Sequence, residues 1–418
     1  MPSTERVLYA DEAARIAADR GFAVPGDGGG GRLGIEMEWC TVDSRDPARP
    51  ADFTRVRKAA AGAALHHHSR LSFEPGGQVE LSTEPLTGLA AVHALADDAE
   101  VLGRALARAG IGMVAIGLEP GPRRERLLHS PRYDAMEAFF DASGEAGRTM
   151  MRSTAALQLN LDLRDPGAPD DPAATARRWD LVHGLGPLLA AMFAHSPFWN
   201  GSPSGWRSTR LAVWNAIDER RTRPVGTAGD CRDAWAEYAL SADVMLVRHS
   251  EDQHLPVAPG LSFAAWIEEG HDAGWPTVED LEYHLTTLFP PVRPRGWLEL
   301  RMIDALPDPW WRVAAAVGAV LVDDVDAARC AENAVEAVRG QWPDAARHAL
   351  HDARFARAAR TCMKAALAVL PRHGADRALL DAVAEFDARF VSRGRTPADD
   401  LLDAYDRDGS LLPRPDNA

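Results

Sequence analysis

The segment from Tyr283 to Asp304 ends in a strand with two unlike faces, and this feature constrains the fold more than any other in the chain. Its last eight residues, WLELRMID, alternate between apolar and polar side chains. Because side chains alternate across a strand, Leu298 and Leu300 point to one side, whereas Glu299 and Arg301 point to the other. One face therefore belongs to a hydrophobic core. The other is either an ordinary solvated face of an antiparallel sheet or a functional surface.

Two arginines precede this strand on a stiff stretch of backbone. Arg293 and Arg295 are interleaved with Pro291 and Pro294. The proline rings fix φ, which leaves the two guanidinium groups little freedom to move. Because a guanidinium group can present two donors to a phosphate, the segment favours a phosphate-binding role.

The same two-faced pattern recurs in three other, well-separated segments. The polar faces carry Glu36 and Glu38 in RLGIEMEWCTV, Gln78 and Glu80 in EPGGQVELS, and Gln158 and Asn160 in MMRSTAALQLNLDL. Carboxylates at positions i and i+2 of a strand lie about 7 Å apart, and at an effective dielectric constant of about 20 they repel each other by roughly 2 kcal/mol. On a sheltered face, a bound cation would relieve that repulsion.

The donors on these faces suit divalent cations and phosphate groups. Carboxylate and amide oxygens are hard ligands of the kind that Mg²⁺ or Mn²⁺ prefers. A cluster of glutamates would hold two or more such ions, which would bridge the phosphates of a nucleotide such as ATP. Arg293, Arg295 and Arg301 would stabilise the charge on a phosphoryl group during its transfer. The pattern therefore predicts phosphoryl-transfer chemistry that needs no protein nucleophile.

Composition narrows the partners to small molecules. The chain of 418 residues has a net charge of -15 and a pI near 5.4 without long basic runs, which argues against a nucleic-acid or anionic-membrane surface. Its four cysteines are far apart and form no C-x-x-C pair, as expected in a reduced compartment. No run approaches the roughly 20 apolar residues of a membrane span. We expect a soluble, cytoplasmic protein.

Two short runs resemble sites but are better explained as connections. The glycine-rich run at 26–31 lacks the Gly-Lys-Ser/Thr ending of a phosphate loop, so we expect a flexible connector. The three consecutive histidines at 66–68 cannot all converge on one ion from a helix or strand, so we expect a surface loop.

The chain changes character near its last quarter. Beyond residue 308 it is almost wholly an Ala/Arg/Leu/Asp helical pattern without a fixed repeat period. We therefore expect a catalytic region at 1–307 and a helical lobe at 308–418, packed together as one integrated domain.

A further pair of residues lies on a short predicted helix in GWRSTRLAVWNAIDERR. Arg210 and Trp214 stand at i and i+4, so both side chains lie on one face. The pair is either a surface arginine stacked on an indole or part of a binding site.

These motifs together resemble a known family. GIEMEW, EPGGQVELS, MMRSTAALQLNLD, GWRSTR, WAEYAL, VMLVR and YHLTTLFPPVRPRGWLELRMID occur in the order found in the glutamate-cysteine ligases shared by plants and bacteria, across roughly residues 33–310. The chain is most similar to the actinobacterial members that open ergothioneine biosynthesis. The resemblance implies an α+β fold in which a curved, mainly antiparallel sheet forms a funnel related to the glutamine synthetase catalytic fold. Helices pack on this sheet.

The resemblance also implies a reaction and a set of roles. ATP would phosphorylate the γ-carboxylate of L-glutamate, and the amine of L-cysteine would displace the phosphate to give γ-glutamylcysteine. The implied metal ligands are Glu36, Glu38, Glu80, Gln158 and Glu299. Arg301 would contact the transferred phosphoryl group beside Arg293 and Arg295. The implied substrate-binding residues are Arg210, Trp214, Arg152, Thr154 and Asn160.

Three alternatives remain open from the sequence. The motifs describe the ATP and glutamate half of the site better than the cysteine pocket, so a ligase of this fold with another amine acceptor is the nearest rival. A metal-dependent hydrolase could use the same carboxylates with water as the nucleophile and would need no ATP. A glutamate-binding regulatory module without catalysis is the third alternative.

Overall fold

A computed structural model describes residues 6–23, 30–250, 253–413 and 415. Most of the glycine-rich run at 26–31 lies outside these residues. The strands are β1 (Arg32–Asp43), β2 (Asp46–Pro50), β3 (Arg70–Phe73), β4 (Val79–Ser82), β5 (Leu86–Thr87), β6 (Ile111–Val114), β7 (Ala156–Asp162), β8 (Phe198–Trp199), β9 (Ser202–Pro203), β10 (Leu246–Ser250), β11 (Gln253–Pro256), β12 (Val292–Pro294) and β13 (Trp297–Asp304).

Helices make up most of the remaining structure. They are α1 (Ala10–Phe22), α2 (Phe53–Ala61), α3 (Ala90–Arg108), α4 (Pro131–Asp141), α5 (Ala146–Ser153), α6 (Pro172–Met192), α7 (Thr209–Asn215), α8 (Glu219–Thr222), α9 (Cys231–Ser241), α10 (Phe263–Glu269), α11 (Val278–Leu285), α12 (Trp310–Asp323), α13 (Val325–Val335), α14 (Trp342–His348), α15 (Ala353–Val369), α16 (Arg377–Arg389) and α17 (Pro397–Asp408). Short 3-10 turns join several of the last helices.

The main sheet has nine strands, and β1 lies at its centre. Its path runs β12-β13-β7-β1-β4-β3, and β2, β5 and β6 also pair with β1. The pairings within it are antiparallel. Register shifts interrupt β1 near Val42 and β13 between Leu300 and Ile303. The expected α+β fold with a mainly antiparallel sheet is confirmed.

The register brings the polar positions of distant segments side by side. Glu36 lies opposite Gln158, and Glu38 lies opposite Glu80. At the far side of β7, Glu299 lies opposite Asn160. Because each strand alternates with the same period of two, this alignment collects the polar side chains of five strands on one face.

The opposite face of the sheet is closed by helices. Ile35, Leu159 and Leu300 have no exposed surface and belong to the main hydrophobic cluster. Helices α6 and α12 pack against β13 and β7. The approach is close at Gly318 of α12, where an added Cβ would lie 2.6 Å from Cδ1 of Leu159. The absence of a side chain there lets the helix lie directly on the strand.

The helices after residue 308 share their core with the sheet. The main hydrophobic cluster runs without interruption from strands such as β1 to Phe386 and Leu401 in the last helices. His66 and His67 lie in a turn and His68 follows it, and all three are exposed outside any helix or strand. In the described part of the chain, no helix combines the length and apolarity needed to cross a bilayer.

Candidate active site

A cavity of about 650 Å³ lies over the polar face of the sheet. Helices α4, α5, α7 and α9 contribute to its walls, and strands β1, β4, β7, β12 and β13 contribute to its floor. The sequence-predicted residues that line it are Glu36, Glu38, Glu80, Thr154, Gln158, Arg210, Trp214, Arg293, Arg295, Glu299 and Arg301. Tertiary structure therefore brings together residues that span more than 260 positions of the sequence.

Three carboxylates converge at the β3–β4 side of the cavity. One oxygen from each of Glu38, Glu74 and Glu80 lies within 4.8 Å of the other two. Burial, followed by the charges of Glu74 and Glu80, raises the pKa of Glu38 well above its ordinary value. Burial and the neighbouring Glu80 raise the pKa of Glu74 to about 8. The raised pKa values mean that the protein supplies too little positive charge to keep these carboxyl groups fully ionised at neutral pH.

Glu74 is the member of this cluster that sequence reasoning missed. It lies immediately after β3, and its backbone N–H donates to the carbonyl of Gln78 across the Pro-Gly-Gly turn at 2.9 Å. The turn packs directly against the end of α5, because an added Cβ on Gly76 would lie 1.9 Å from the carbonyl oxygen of Arg152. The available signal was the alternation of β3 itself, in which Ser72 and Glu74 occupy the polar positions.

Hydroxyl and amide groups orient the carboxylates. Ser72 donates to Oε1 of Glu80 at 2.5 Å. Oε2 of Glu38 accepts from the backbone N–H of Ala156 at 2.9 Å, and Nε2 of Gln158 donates to its other oxygen at 3.3 Å. These contacts fix the positions of the donors before any ligand binds.

A second group of oxygen donors lies one strand further along. Glu36 accepts from Nδ2 of Asn160 at 3.0 Å. Burial, then the charges of Glu299 and Glu80, raises the pKa of Glu36 above its ordinary value. Gln158 lies beside it and accepts a hydrogen bond from Nη1 of Arg301 at 2.6 Å. Glu36 and Gln158 thus connect the carboxylate cluster to the arginines.

Glu299 lies among three guanidinium groups. Arg293 donates to both of its oxygens, at 2.6 and 3.0 Å. Arg301 donates to Oε2 at 3.0 Å, and Arg295 reaches Oε1 at 3.4 Å. Although burial opposes ionisation, the guanidinium groups of Arg293 and Arg301 lower the pKa of Glu299 far below its ordinary value. Three positive charges against one negative charge leave this side of the cavity cationic.

Arg210 and Trp214 connect this cationic region to α7. Arg210 donates from Nη2 to the carbonyl of Arg301 at 2.8 Å and lies 3.6 Å from Asp304. The guanidinium carbons of Arg210 and Arg301 lie 5.5 and 5.6 Å from the Trp214 ring centre. The buried Nε groups of both arginines have no hydrogen-bond partner among the described residues. Each of these two donors is therefore buried without an acceptor from the described residues.

Three other predicted residues have different surroundings. Arg152 pairs with Glu137 at 2.7 Å, and Asn160 contacts Glu36 and the indole nitrogen of Trp297. Neither lines the cavity in the part of the chain that the structure describes. Thr154 lines it, although its hydroxyl donates to the carbonyl of Met150 at 2.7 Å.

The donor set fits divalent cations. Glu38, Glu74 and Glu80 provide hard oxygen ligands close enough to share an ion. A bound cation would favour the ionised carboxylates and so lower the raised pKa values of Glu38 and Glu74. The opposite, cationic side fits phosphate oxygens. One cavity thus presents sites for metal ions and for a polyphosphate.

Comparison with known proteins identifies a family that matches nearly the whole chain. The model of glutamate-cysteine ligase family 2 matches residues 32–414. A glutamate–cysteine ligase named EgtA from Mycobacterium tuberculosis is 41% identical over 416 residues, covering 96% of this chain and 92% of that protein. A protein of the same name from Mycolicibacterium smegmatis is 42% identical, with coverages of 94% and 91%. The chloroplastic glutamate–cysteine ligase of Arabidopsis thaliana is 31% identical, with coverages of 80% and 66%.

Solved structures share the fold at low sequence identity. A glutamate–cysteine ligase from Francisella tularensis in complex with AMP has a TM-score of 0.54 at 14% identity, covering 91% of this chain and 86% of that chain. A bifunctional glutathione synthetase from Pasteurella multocida has a TM-score of 0.51 at 15% identity, with coverages of 98% and 53%.

Proposed function

The chain belongs to glutamate-cysteine ligase family 2, and we propose that it joins the γ-carboxylate of L-glutamate to the amine of L-cysteine at the expense of ATP. The products are γ-glutamylcysteine, ADP and phosphate. The observation that carries this proposal is the division of one cavity into a carboxylate cluster around Glu74 and a cationic region around Glu299. A ligase that transfers a phosphoryl group from ATP needs both.

Two sets of residues would hold divalent ions, either Mg²⁺ or Mn²⁺. Glu38, Glu74 and Glu80 form the first set. Glu36, Gln158 and Glu299 on neighbouring strands form the second. When bound, the ions supply positive charge that neutralises the phosphate oxygens and aligns them for transfer. The raised pKa values of Glu36, Glu38 and Glu74 support this assignment, since each carboxylate would gain from a nearby cation.

The arginines of β12 and β13 position the phosphates. Arg293 is buried and Arg301 is half-buried, and their contacts with Glu299 hold them in fixed orientations. In the first step, an oxygen of the glutamate γ-carboxylate forms a bond to the γ-phosphorus of ATP, and ADP leaves. Arg301 stabilises the charge on the phosphoryl oxygens through the N–H groups that face the cavity. Its rigid placement means that little reorganisation is needed during the step.

In the second step, the free amine of cysteine attacks the acyl carbon of γ-glutamyl phosphate. The carbon–oxygen bond breaks, and phosphate leaves with the oxygen that came from the glutamate carboxylate. Arg210 and Trp214 bind a carboxylate of glutamate, because the Nε group of Arg210 is buried and otherwise unpaired. The indole of Trp214 keeps that guanidinium in place.

The direct test is a panel of acceptor amines. Protein incubated with ATP, Mg²⁺ and L-glutamate should release ADP when L-cysteine is added, and much less with glycine or ammonia. Oxygen label placed in the glutamate γ-carboxylate should appear in the released phosphate. Label that stays wholly in the peptide would exclude an acyl phosphate intermediate. An amine that gives clearly faster ADP release than cysteine would identify a ligase with a different acceptor.

We further propose that the reaction belongs to ergothioneine biosynthesis, and the likeness to the mycobacterial proteins named EgtA supports this proposal. We propose a cytoplasmic location, which the four free thiols support. The substrates are then L-glutamate, L-cysteine and ATP, with neither nucleic acid nor a membrane as partner.

A further inference from the structure

The cavity has two chemically different ends. The strand order places β12 and β3 at opposite edges of the sheet. At the β12–β13 edge, the lining consists of arginines together with the flat rings of Trp235 and Trp297. These groups suit the phosphates and base of a nucleotide. At the other end, helices α4 and α5 provide a wall of a different kind.

Methionines form most of the apolar part of that wall. Met136 of α4 and Met150 and Met151 of α5 all line the cavity. They belong to, or pack against, a separate apolar cluster that also contains Trp214 and Phe289. Met136 and Met151 are buried, whereas Met150 is only half-buried. A methionine side chain is flexible and polarisable, so it can fit closely around a small apolar or sulfur-containing group.

The placement of this wall follows from local helix geometry. Tyr133 and Met136 are three residues apart on α4, so both face the cavity. Tyr133 lines the same cavity as Glu74 and Glu80, and burial followed by the charge of Glu74 raises its pKa. The methionine wall therefore borders the carboxylate cluster, and it also packs with Trp214 and Phe289.

The three substrates differ in how well they match such a wall. Glutamate has only two methylenes between its charged ends, and the rings of Trp235 and Trp297 at the other end of the cavity suit the base of ATP. Cysteine is the substrate with an apolar, sulfur-containing side chain. We propose that the wall formed by Met136, Met150 and Met151 holds the side chain of the acceptor amino acid and sets its permitted length. This inference rests on the proposed function and names the acceptor subsite of the same cavity.

The test is whether shortening a side chain of the wall, which enlarges the pocket, changes the preferred length of the acceptor side chain. In Met150→Ala, the ratio of kcat/KM for L-homocysteine to that for L-cysteine should rise by about 10-fold or more, because one methylene in an apolar pocket corresponds to about 10–200-fold. The KM values for glutamate and ATP should change by less than about twofold. Met136→Ala should shift the same ratio in the same direction.

Met245→Ala is the matched control. Met245 is buried in the same apolar cluster, yet it does not line the cavity among the described residues. Its truncation should lower stability without altering the ratio of homocysteine to cysteine. Thermal unfolding of all three variants separates loss of packing from loss of selectivity.

The outcomes distinguish this inference from the proposed function. Wild-type protein without cysteine-dependent ADP release would contradict the proposed function itself. Wild-type protein that uses cysteine, while folded Met150→Ala and Met136→Ala keep the wild-type ratio, would overturn only the assignment of the wall. A ratio that rises equally in Met245→Ala would also overturn it, because general loosening would then explain the change.

Discussion

Replacing Glu74 with Gln should stabilise the metal-free protein at high pH and weaken its affinity for a divalent cation. Burial and Glu80 raise the pKa of Glu74 from its ordinary value of 4.5 to about 8. Two ionised carboxylates at 4.8 Å repel each other by about 3 kcal/mol at an effective dielectric constant of about 20. Glutamine keeps the shape and removes this repulsion. The same change removes one charged ligand from the ion.

The sign of the pH dependence follows from proton linkage. With a raised pKa, the folded protein binds more protons than the unfolded chain between pH 4.5 and about 8. The contribution of Glu74 to stability is therefore complete below pH 4.5 and is lost as pH rises through about 8. We expect Glu74→Gln to raise the free energy of unfolding by about 2–3 kcal/mol at pH 9 and by little at pH 4.5.

Urea unfolding in EDTA, followed by tryptophan fluorescence, measures this difference at the two pH values. Mn²⁺ titration at pH 8 should show at least about 10-fold weaker binding. Mutation of residues that only orient the ligands already lowers metal affinity by about 10–100-fold. Glu84→Gln is the control, because Glu84 is exposed just after β4 and should change neither quantity. Destabilisation of Glu74→Gln at pH 9 in EDTA, together with unchanged Mn²⁺ affinity, would refute the reasoning.

Three further predictions concern the cationic region and the helical lobe. Glu299→Gln should lower kcat at least about 100-fold and lower the free energy of unfolding in urea by about 3 kcal/mol, because three guanidinium groups lose their shared carboxylate. A folded variant that keeps its turnover would show that β13 is not part of the site. Arg301→Lys should mainly lower kcat in steady-state assays, since lysine cannot present two planar donors, and a rise confined to the cysteine KM would contradict the assignment. Residues 1–307 and 308–418 should unfold in one calorimetric transition, because one hydrophobic cluster spans both, and two separate transitions would show independent domains.

The sequence determined which side chains share a face, because alternation along a strand is a local property. The polar positions of four segments were readable without a structure. Glu36, Glu80 and Glu299 are among those that line the cavity, whereas Gln78 and Asn160 do not line it in the described part of the chain. Glu74 continues the alternation of β3, but it stands directly before a Pro-Gly-Gly turn, so the sequence pattern alone did not assign it to the polar face. The two-residue period also fixed which residues form the buried face.

Tertiary structure decided which of these residues meet. Strand register places Glu38 opposite Glu80, and the β3–β4 turn adds Glu74 to form the carboxylate cluster. Arg152 lies in the same sequence motif as Gln158, yet its side chain pairs with Glu137 of α4 instead of lining the cavity. The acceptor wall is made by helices α4 and α5, whose positions no spacing indicated. These are contacts between segments far apart in the chain, and they depend on how whole elements pack rather than on any local sequence period.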